Sequence, residues 1–209
     1  MTRYAGTLPP SYFDERYAAD PDPWQFQTSD YERGKYAATL AALPRDSYVS
    51  VLEIGCSIGV LTRQLASRCD ALISLDLTEL ALAQARERCR DLDHVHFELG
   101  QVPGQWPAGS FDLILLSEVV YYLDLDDVAR LVERVRGSLV NGGDVVLVHW
   151  TGDTHYPLTG DEAADSFIEG VANFLPVTHR ERAEKYRLDV LHRCMRTYDP
   201  APPPGRKVK

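Results

Sequence analysis

Positive charge is scarce in this 209-residue chain, because Lys and Arg total 22 against 31 Asp and Glu, a formal net charge of −9. An acidic surface repels phosphate backbones and anionic lipid headgroups, so neither a nucleic-acid substrate nor a membrane role is expected. No apolar run approaches the roughly 18 residues of a membrane span, and the N-terminus lacks the pattern of a signal peptide. We therefore expect a cytoplasmic protein.

Cysteine is also sparse, and the four residues stand far apart without a C-x-x-C pair: Cys56, Cys69, Cys89 and Cys194. Zinc sites and disulfide frameworks need closely spaced or regularly paired cysteines. The sequence therefore predicts reduced thiols and no metal site.

Short apolar runs alternate with helical patterns through the middle of the chain. The runs cover residues 49–54, 71–76, 94–99, 111–116 and 144–149. Strand, helix, strand repeated in this way is typical of an α/β fold, a parallel sheet with right-handed crossovers and helices on both faces. Such open sheets bind ligands at the carboxyl ends of their strands, which predicts where the site lies.

The segment before the first strand contains one predicted helix, beginning at Ser29 or Asp30. The aromatic-rich residues 1–31 are predicted to be an irregular cover, because Pro21 and Pro23 break any long helix.

The segment after the fifth strand is predicted to add a helix over residues 161–174. Polar and apolar residues then alternate over 177–183 and 186–194, which predicts an antiparallel hairpin at one edge of the sheet.

The first strand-to-helix turn has the sequence Leu52-Glu-Ile-Gly-Cys-Ser-Ile-Gly59. Its glycines let a ligand approach the backbone, and the N-terminus of the next helix offers unpaired N–H groups to an anionic ligand group. A dinucleotide fingerprint needs glycines at 55, 57 and 60, whereas this chain has Ser57 and Val60. NAD is therefore disfavoured as the ligand.

Two acidic residues flank this turn. Asp76 ends the second run about 20 residues further on, the separation at which a carboxylate accepts hydrogen bonds from both ribose hydroxyls. The alternative role for Asp76 is a cap on the following helix. Glu53 either orders the loop or is a strand-end charge satisfied by backbone groups.

Three stretches carry a resemblance to known enzymes: Ala19-Asp-Pro-Asp-Pro-Trp24, Leu52-Glu-Ile-Gly-Cys56, and Phe111-Asp-Leu-Ile114 continuing to Ser117-Glu-Val-Val-Tyr-Tyr-Leu123. At these residues the chain resembles class I methyltransferases, and in particular the nodulation protein S (NodS) family of N-methyltransferases, over roughly residues 12 to 150. The resemblance implies a Rossmann-like fold with a seven-stranded sheet. It also implies S-adenosylmethionine as cofactor, S-adenosylhomocysteine as product, and methyl transfer to the amino group of a deacetylated glucosamine unit.

The resemblance and the turn together give the expected cofactor contacts: Trp24, Glu53, Gly55, Cys56, Ser57, Gly59, Asp76, Leu77, Gly100, Gln101, Val102 and Ser117. The geometry known for the family implies that residues 100–102 read the adenine edge. Trp24 is expected either to close over the sulfonium, to which aromatic faces are favourable, or to pack an N-terminal helix.

Glu118, Tyr122 and His149 are the candidate catalytic residues, because they follow the strands at the predicted mouth of the site. Glu118 is expected to anchor an ammonium or hydroxyl, since a nearby sulfonium lowers its pKa and makes it a poor base. His149 suits proton acceptance near neutral pH, or is a strand-end histidine satisfied by the next loop. One of Tyr121 and Tyr122 is expected to line the pocket.

The expected acceptor is the amine of a small molecule, with an amino sugar as one possibility. Two alternatives stay open at this point. One is an O-methyltransferase acting on a hydroxyl or carboxylate, and the other is a non-catalytic S-adenosylmethionine-binding protein.

We expect one domain over residues 1–200, since the chain is too short for two ordinary domains. Within it, residues 1–44 form the cover segment and helix, residues 45–150 the cofactor-binding core, and residues 151–200 the acceptor-side loop, helix and hairpin. The proline-rich residues 201–209 are predicted to be disordered.

Overall fold

One seven-stranded sheet organises the molecule, seen in a computed structural model that describes residues 3–194. The strands are β1 Tyr48–Ile54, β2 Cys69–Asp76, β3 Val95–Leu99, β4 Phe111–Ser117, β5 Leu139–Trp150, β6 Val177–Arg182 and β7 Tyr186–His192. Their spatial order is β3-β2-β1-β4-β5-β7-β6. Strands β1 to β5 are parallel, whereas β7 is antiparallel to β5 and β6 is antiparallel to β7. The predicted mostly parallel sheet with an antiparallel edge hairpin is confirmed.

Six α-helices accompany the sheet within residues 3–194: α1 Pro10–Ala19, α2 Asp30–Ala41, α3 Val60–Leu65, α4 Glu79–Arg88, α5 Leu125–Ser138 and α6 Gly160–Val171. Side-chain caps fix where some of them begin. The Ser29 hydroxyl accepts a hydrogen bond from Glu32 N ahead of α2, and Thr159 with Glu162 forms a reciprocal capping box at α6. The predicted start of α2 is thereby confirmed.

The core lies on both faces of the sheet, as the apolar run of β4 predicts. Leu113 and Leu115 pack with α2 and α3 on one face, and Ile114 and Leu116 pack with α5 and α6 on the other. All four side chains are fully buried. Because β4 is central and covered on both sides, the residues that follow it are held rigidly.

The prediction that residues 1–31 are irregular is wrong for Pro10–Ala19, which form α1. Pro10 occupies the first helical position, where its missing N–H leaves no hydrogen bond unmade, so this proline starts a helix. Phe13 and Tyr17 stand four residues apart on one face of α1 and are buried. The cover segment is therefore partly helical.

Strand β5 begins at Leu139, five residues before the predicted run 144–149, and so includes Asn-Gly-Gly at residues 141–143. A register shift between Phe111 and Leu113 on the neighbouring strand absorbs the irregularity, and Gly142 has φ +76°. The glycines therefore mark a bulged strand.

Two further expectations concern the disorder of the C-terminal residues and the absence of membrane-spanning helices. The predicted disorder of residues 201–209 concerns a segment outside the described residues. Within residues 3–194, no helix has the length and apolar character that crossing a membrane requires.

Candidate active site

A cavity of about 400 Å³ opens where β1, β2 and β4 end. Its floor is formed by residues at or just beyond those strand ends, among them Gly55, Ser57, Asp76 and Ser117. The cover segment, α2 and the loop after β5 form its walls. The cavity therefore lies at the sheet edge where the strand pattern places a ligand.

The structure brings most of the predicted cofactor residues to this cavity or to small pockets beside it. Trp24, Gly55, Ser57, Asp76, Leu77 and Ser117 line the cavity itself. Glu53 and Cys56 line an adjoining pocket of about 30 Å³. Gly100, Gln101 and Val102 line another of about 40 Å³, which they share with Asp76 and Leu77. Gly59 lines none of the three and lies in the turn beneath them.

Gly55 and Gly59 fix the shape of the first turn. Both adopt left-handed backbone conformations, with φ +80° and +77°. A Cβ on Gly55 would lie 2.3 Å from Cγ2 of Val119, and one on Gly59 would lie 2.9 Å from Cα of Ala85. Glycine is therefore required at both positions, at residue 59 because helix α4 packs directly against the turn.

Asp76 ties the turn to the end of β2. Its Oδ2 accepts a hydrogen bond from Ser57 N at 2.8 Å, and its Oδ1 accepts one from Thr78 N at 3.2 Å. Burial raises the pKa of Asp76 to about 6. A carboxylate has about four acceptor positions, so two remain for a vicinal diol such as a ribose. Asp76 does not cap α4, because Thr78 is the N-cap residue of that helix and no side chain among residues 3–194 caps its first turn.

Glu53 lies below the turn and is 2% exposed. Its Oε2 accepts hydrogen bonds from the hydroxyls of Thr62 at 2.7 Å and Ser74 at 2.8 Å. Burial raises the pKa of Glu53 to about 7. These contacts join β1, β2 and α3, so Glu53 orders the structure that carries the turn.

The cover segment closes the end of the site near residues 100–102. Leu8 is 1% exposed, its N–H donates to the carbonyl of Tyr122 at 2.9 Å, and its own carbonyl accepts from Gln101 Nε2 at 3.1 Å. The lining of this pocket is mostly apolar.

Trp24 packs against helix α1, one of the two roles that the sequence left open, and also faces the cavity. It lines the cavity, and its ring centroid lies 5.5 Å from that of Tyr17 on α1 and 5.7 Å from that of Phe26. The Tyr17 hydroxyl in turn hydrogen-bonds the Ser57 hydroxyl. The aromatic cover is thus fastened to the glycine turn.

Glu118 lies at the cavity wall with both carboxylate oxygens engaged. Its Oε1 is 2.5 Å from Nζ of Lys35, and its Oε2 accepts from the Tyr121 hydroxyl at 2.6 Å and from Trp150 N at 2.9 Å. Burial by itself raises the pKa of this carboxyl, but the Lys35 ammonium and these donors hold it below its ordinary value. Glu118 is therefore ionised, and its contacts hold Lys35, Tyr121 and Trp150 together at the cavity wall.

The structure does not bring His149 to the cavity. Its side chain is fully buried, and Nε2 accepts a hydrogen bond from Val120 N at 3.3 Å. Burial lowers the pKa of His149 to about 4. His149 is thus a buried strand-end imidazole, but the loop after β5 does not satisfy it: its partner follows β4, and Nδ1 has no hydrogen-bond partner among residues 3–194. Its ring supports the turn that carries Tyr121 and Tyr122.

Tyr121 and Tyr122 both line the cavity, together with Tyr156. Tyr121 stacks on Tyr156 with centroids 5.1 Å apart, and Tyr122 meets Tyr156 edge-on at 4.6 Å. The three rings form a rigid aromatic wall, because each supports the next.

Helix α2 supplies three cavity residues that the sequence analysis missed, Tyr31, Glu32 and Lys35. The end of β5 and the expected acceptor-side loop add Trp150, Asp153 and Thr154, which it did not name individually. One signal was present, since Lys35 is the only lysine before residue 185. Within the described part of the chain, the cavity is lined by four carboxylates, Glu32, Asp76, Glu118 and Asp153, and by Lys35 alone as cation. Such a lining attracts a cationic ligand. The same residues 3–194 contain no group of three or more His, Cys, Asp or Glu arranged to hold a metal ion.

A family model described as nodulation protein S (NodS) matches residues 13–147, which include the turn, Asp76 and Glu118. The chain belongs to the NodS family. Nodulation protein S of Bradyrhizobium diazoefficiens is 36% identical over 123 residues, covering 58% of each chain. That of Sinorhizobium fredii is 32% identical over 133 residues, covering 63% of this chain and 62% of that one. The chain thus spans about three-fifths of the length of these relatives.

The fold is that of a solved NodS structure. The N-methyltransferase NodS from Bradyrhizobium japonicum WM9, in complex with S-adenosyl-L-homocysteine, superposes with a TM-score of 0.76 at 24% identity. The match covers 88% of this chain and 97% of that one. The predicted class I methyltransferase fold is confirmed.

Proposed function

We propose that this protein is an S-adenosylmethionine-dependent N-methyltransferase acting on the amine of a small molecule, with an amino sugar as a candidate acceptor. The observation that carries the proposal is the position of Asp76, bonded to the glycine turn on the floor of an acidic, aromatic cavity. Membership of the NodS family supports the same activity.

The residues present fit such a cofactor along its length. The apolar pocket of residues 100–102 suits the adenine, and the free acceptor positions of Asp76 suit the ribose hydroxyls. Gly55 and Ser57 of the turn line the cavity, where they suit the methionine end. Trp24 and Tyr17 present aromatic rings near the turn, which suits a cation.

When bound, S-adenosylmethionine supplies an electrophilic methyl group on a positively charged sulfur. The chain's own task is then to hold an acceptor nitrogen in line with that methyl group and to exclude water, which can supply much of the acceleration. The aromatic wall of Tyr121, Tyr122 and Tyr156 holds the acceptor side rigid. The ionised Glu118 keeps that side negative.

The size of the cavity limits the acceptor. A volume of about 400 Å³ lies near the lower end of the range for small-ligand pockets. Cofactor and acceptor share this space, so the enclosed part of the acceptor is small and the rest of a longer acceptor extends into solvent.

The experiment is calorimetric titration of the purified protein with S-adenosylhomocysteine and, in parallel, with NAD. We expect saturable binding of S-adenosylhomocysteine and none of NAD. Release of S-adenosylhomocysteine from S-adenosylmethionine in the presence of amines then reports turnover. A folded sample that ignores S-adenosylhomocysteine would exclude the proposed activity.

A further inference from the structure

Two buried oxygen atoms at the cavity lack hydrogen-bond partners among residues 3–194. They are Oε2 of Glu32 and Oγ1 of Thr154. Glu32 belongs to the first turn of α2 and Thr154 to the loop after β5, yet both line the same cavity. A buried polar atom without a partner is costly, so a ligand that supplies donors is expected between these elements.

Glu32 is held in place through its other oxygen. Lys35 donates to Oε1 at 3.0 Å, while Oε2 lies equally close to the ammonium without forming a hydrogen bond. The Glu32 side chain is 9% exposed, so water reaches it poorly. The carboxylate is therefore fixed in orientation with one acceptor atom unused.

Glu118 differs from Glu32 in this respect. Each of its oxygens already accepts a hydrogen bond from the protein, from Lys35, Tyr121 or Trp150. Binding a ligand ammonium directly through Glu118 would compete with these contacts. Glu32 on α2 therefore has an unused acceptor atom that Glu118 lacks.

The surroundings of Glu32 select the charge of the ligand. Glu118 and Asp153 add negative charge to the same cavity, and Lys35 is neutralised by its two carboxylate partners. The rings of Tyr31 and Trp150 also line the cavity and meet edge-on, with their centroids 5.5 Å apart. The excess of carboxylates in the lining favours a cationic amine over an anion.

We propose that Glu32, assisted by the Thr154 hydroxyl, binds the acceptor as its ammonium and takes the proton that the amine must lose. The inference rests on the proposed methyltransferase function and names the specificity-determining residue of that site. The N–H bond breaks, the proton passes to Oε2 of Glu32, and the electron pair stays on nitrogen. Nitrogen then forms its bond to the methyl carbon, while the pair of the broken S–C bond remains on sulfur.

The test measures binding to the protein saturated with S-adenosylhomocysteine, so that it does not depend on turnover. The probes are three amines paired with alcohols of similar shape, namely glucosamine with glucose, benzylamine with benzyl alcohol, and ethanolamine with ethylene glycol. The key variant is Glu32→Gln, which keeps the shape and removes the charge. Glu133→Gln, the same change on the exposed face of α5, is the matched control.

We expect at least one amine to bind the wild-type complex at least about tenfold more tightly than its alcohol, the effect of one charge-assisted hydrogen bond. Glu32→Gln should abolish this preference while leaving the affinity for S-adenosylhomocysteine unchanged, and Glu133→Gln should keep the preference. A preference that persists in Glu32→Gln, or equal binding of amines and alcohols by the wild type, overturns the assignment.

Failure of the proposed function has a different signature, the absence of S-adenosylhomocysteine binding in the wild type, and it overturns the assignment as well. If Glu32→Gln does not fold, Thr154→Val decides, because Thr154 lies outside the ion-pair cluster. Thr154→Val should weaken amine binding at least about threefold, the effect of one neutral hydrogen bond, and unchanged binding refutes the proposal.

Discussion

The ammonium of Lys35 lies 2.5 Å from Oε1 of Glu118, joining α2 to the residue that follows β4. The lysine side chain is 2% exposed and the glutamate 14%. Lys35 also contacts Glu32, so one buried cation holds two carboxylates at the cavity wall. The pair therefore couples the stability of the fold to the geometry of the acceptor side.

Lys35→Met is expected to lower the free energy of unfolding by about 3–5 kcal/mol, because it leaves buried carboxylates without their cation. Urea denaturation measures this loss. The control is Arg90→Met, which breaks the exposed pair of Arg90 with Glu87 and should cost less than about 1 kcal/mol. Equal losses in the two variants would mean that the buried pair contributes no more to the free energy of unfolding than the exposed pair.

The double variant Lys35→Met/Glu118→Gln separates the pair from its surroundings. Removing the charge of Glu118 as well relieves part of the penalty, so the double variant should lose less than the two single variants together. Additive losses would contradict a direct interaction between the two residues.

Most of the architecture follows from local patterns in the sequence. The run 111–116 predicts a buried central strand because a strand covered on both faces needs apolar residues throughout. The glycine turn and Asp76 are recognisable because their spacing reflects one strand, one turn and one helix. Helix α1 escaped prediction because Pro21 and Pro23 predict a break in any long helix of this segment, although both lie beyond the end of α1 and Pro10 occupies its first position.

The acceptor wall could not be predicted in the same way. Residues 35 and 118 meet only through the tertiary fold, and 83 positions separate them. Glu32 and Lys35, three residues apart on a helix, have the pattern of an ordinary exposed ion pair. The pair belongs to the cavity wall because both side chains are buried, and their burial depends on where α2 packs.

Gly34→Ala and Gly55→Ala should change stability in opposite directions. A Cβ on Gly34, inside helix α2, meets nothing within 4 Å, so alanine should stabilise the protein by about 0.5–1 kcal/mol. At Gly55 a Cβ would overlap Val119 and φ is +80°, so alanine should destabilise by about 1–3 kcal/mol and weaken S-adenosylhomocysteine binding. Thermal unfolding and calorimetry check both. A tolerated Gly55→Ala would show that the turn is more adaptable than its contacts indicate.

Asp76→Asn should weaken S-adenosylhomocysteine binding about tenfold to a hundredfold, because ribose hydroxyls would lose a charged acceptor. Since the pKa of Asp76 is about 6, wild-type affinity should also fall as the pH drops below 6. The variant should lack this pH dependence. Calorimetry between pH 5 and 8 measures both effects, and Asp70→Asn, at the exposed start of the same strand, is the control. Wild-type affinity in Asp76→Asn would remove the residue from the ribose site.

The free energy of unfolding of Glu53→Gln should increase relative to that of the wild type as the pH rises. The buried Glu53 has its pKa raised to about 7, so the folded state keeps a proton that the unfolded state releases at lower pH. Wild-type stability from this group is fully present below the ordinary glutamate pKa and is lost as the pH rises through 7, at about 1.4 kcal/mol per pH unit. The difference in free energy of unfolding between variant and wild type should therefore grow by about 2–3 kcal/mol from pH 5 to pH 8.

Urea denaturation at several pH values tests this because groups common to both proteins, including Asp76, cancel in the difference. Glutamine can still accept from Thr62 and Ser74, so the hydrogen bonds beneath the turn are retained at every pH. Glu87→Gln, a change on an exposed side chain, should give a difference that does not vary with pH. If the Glu53→Gln difference were equally flat, Glu53 would be ionised in the folded state at pH 5, and its two hydroxyl donors would outweigh its burial.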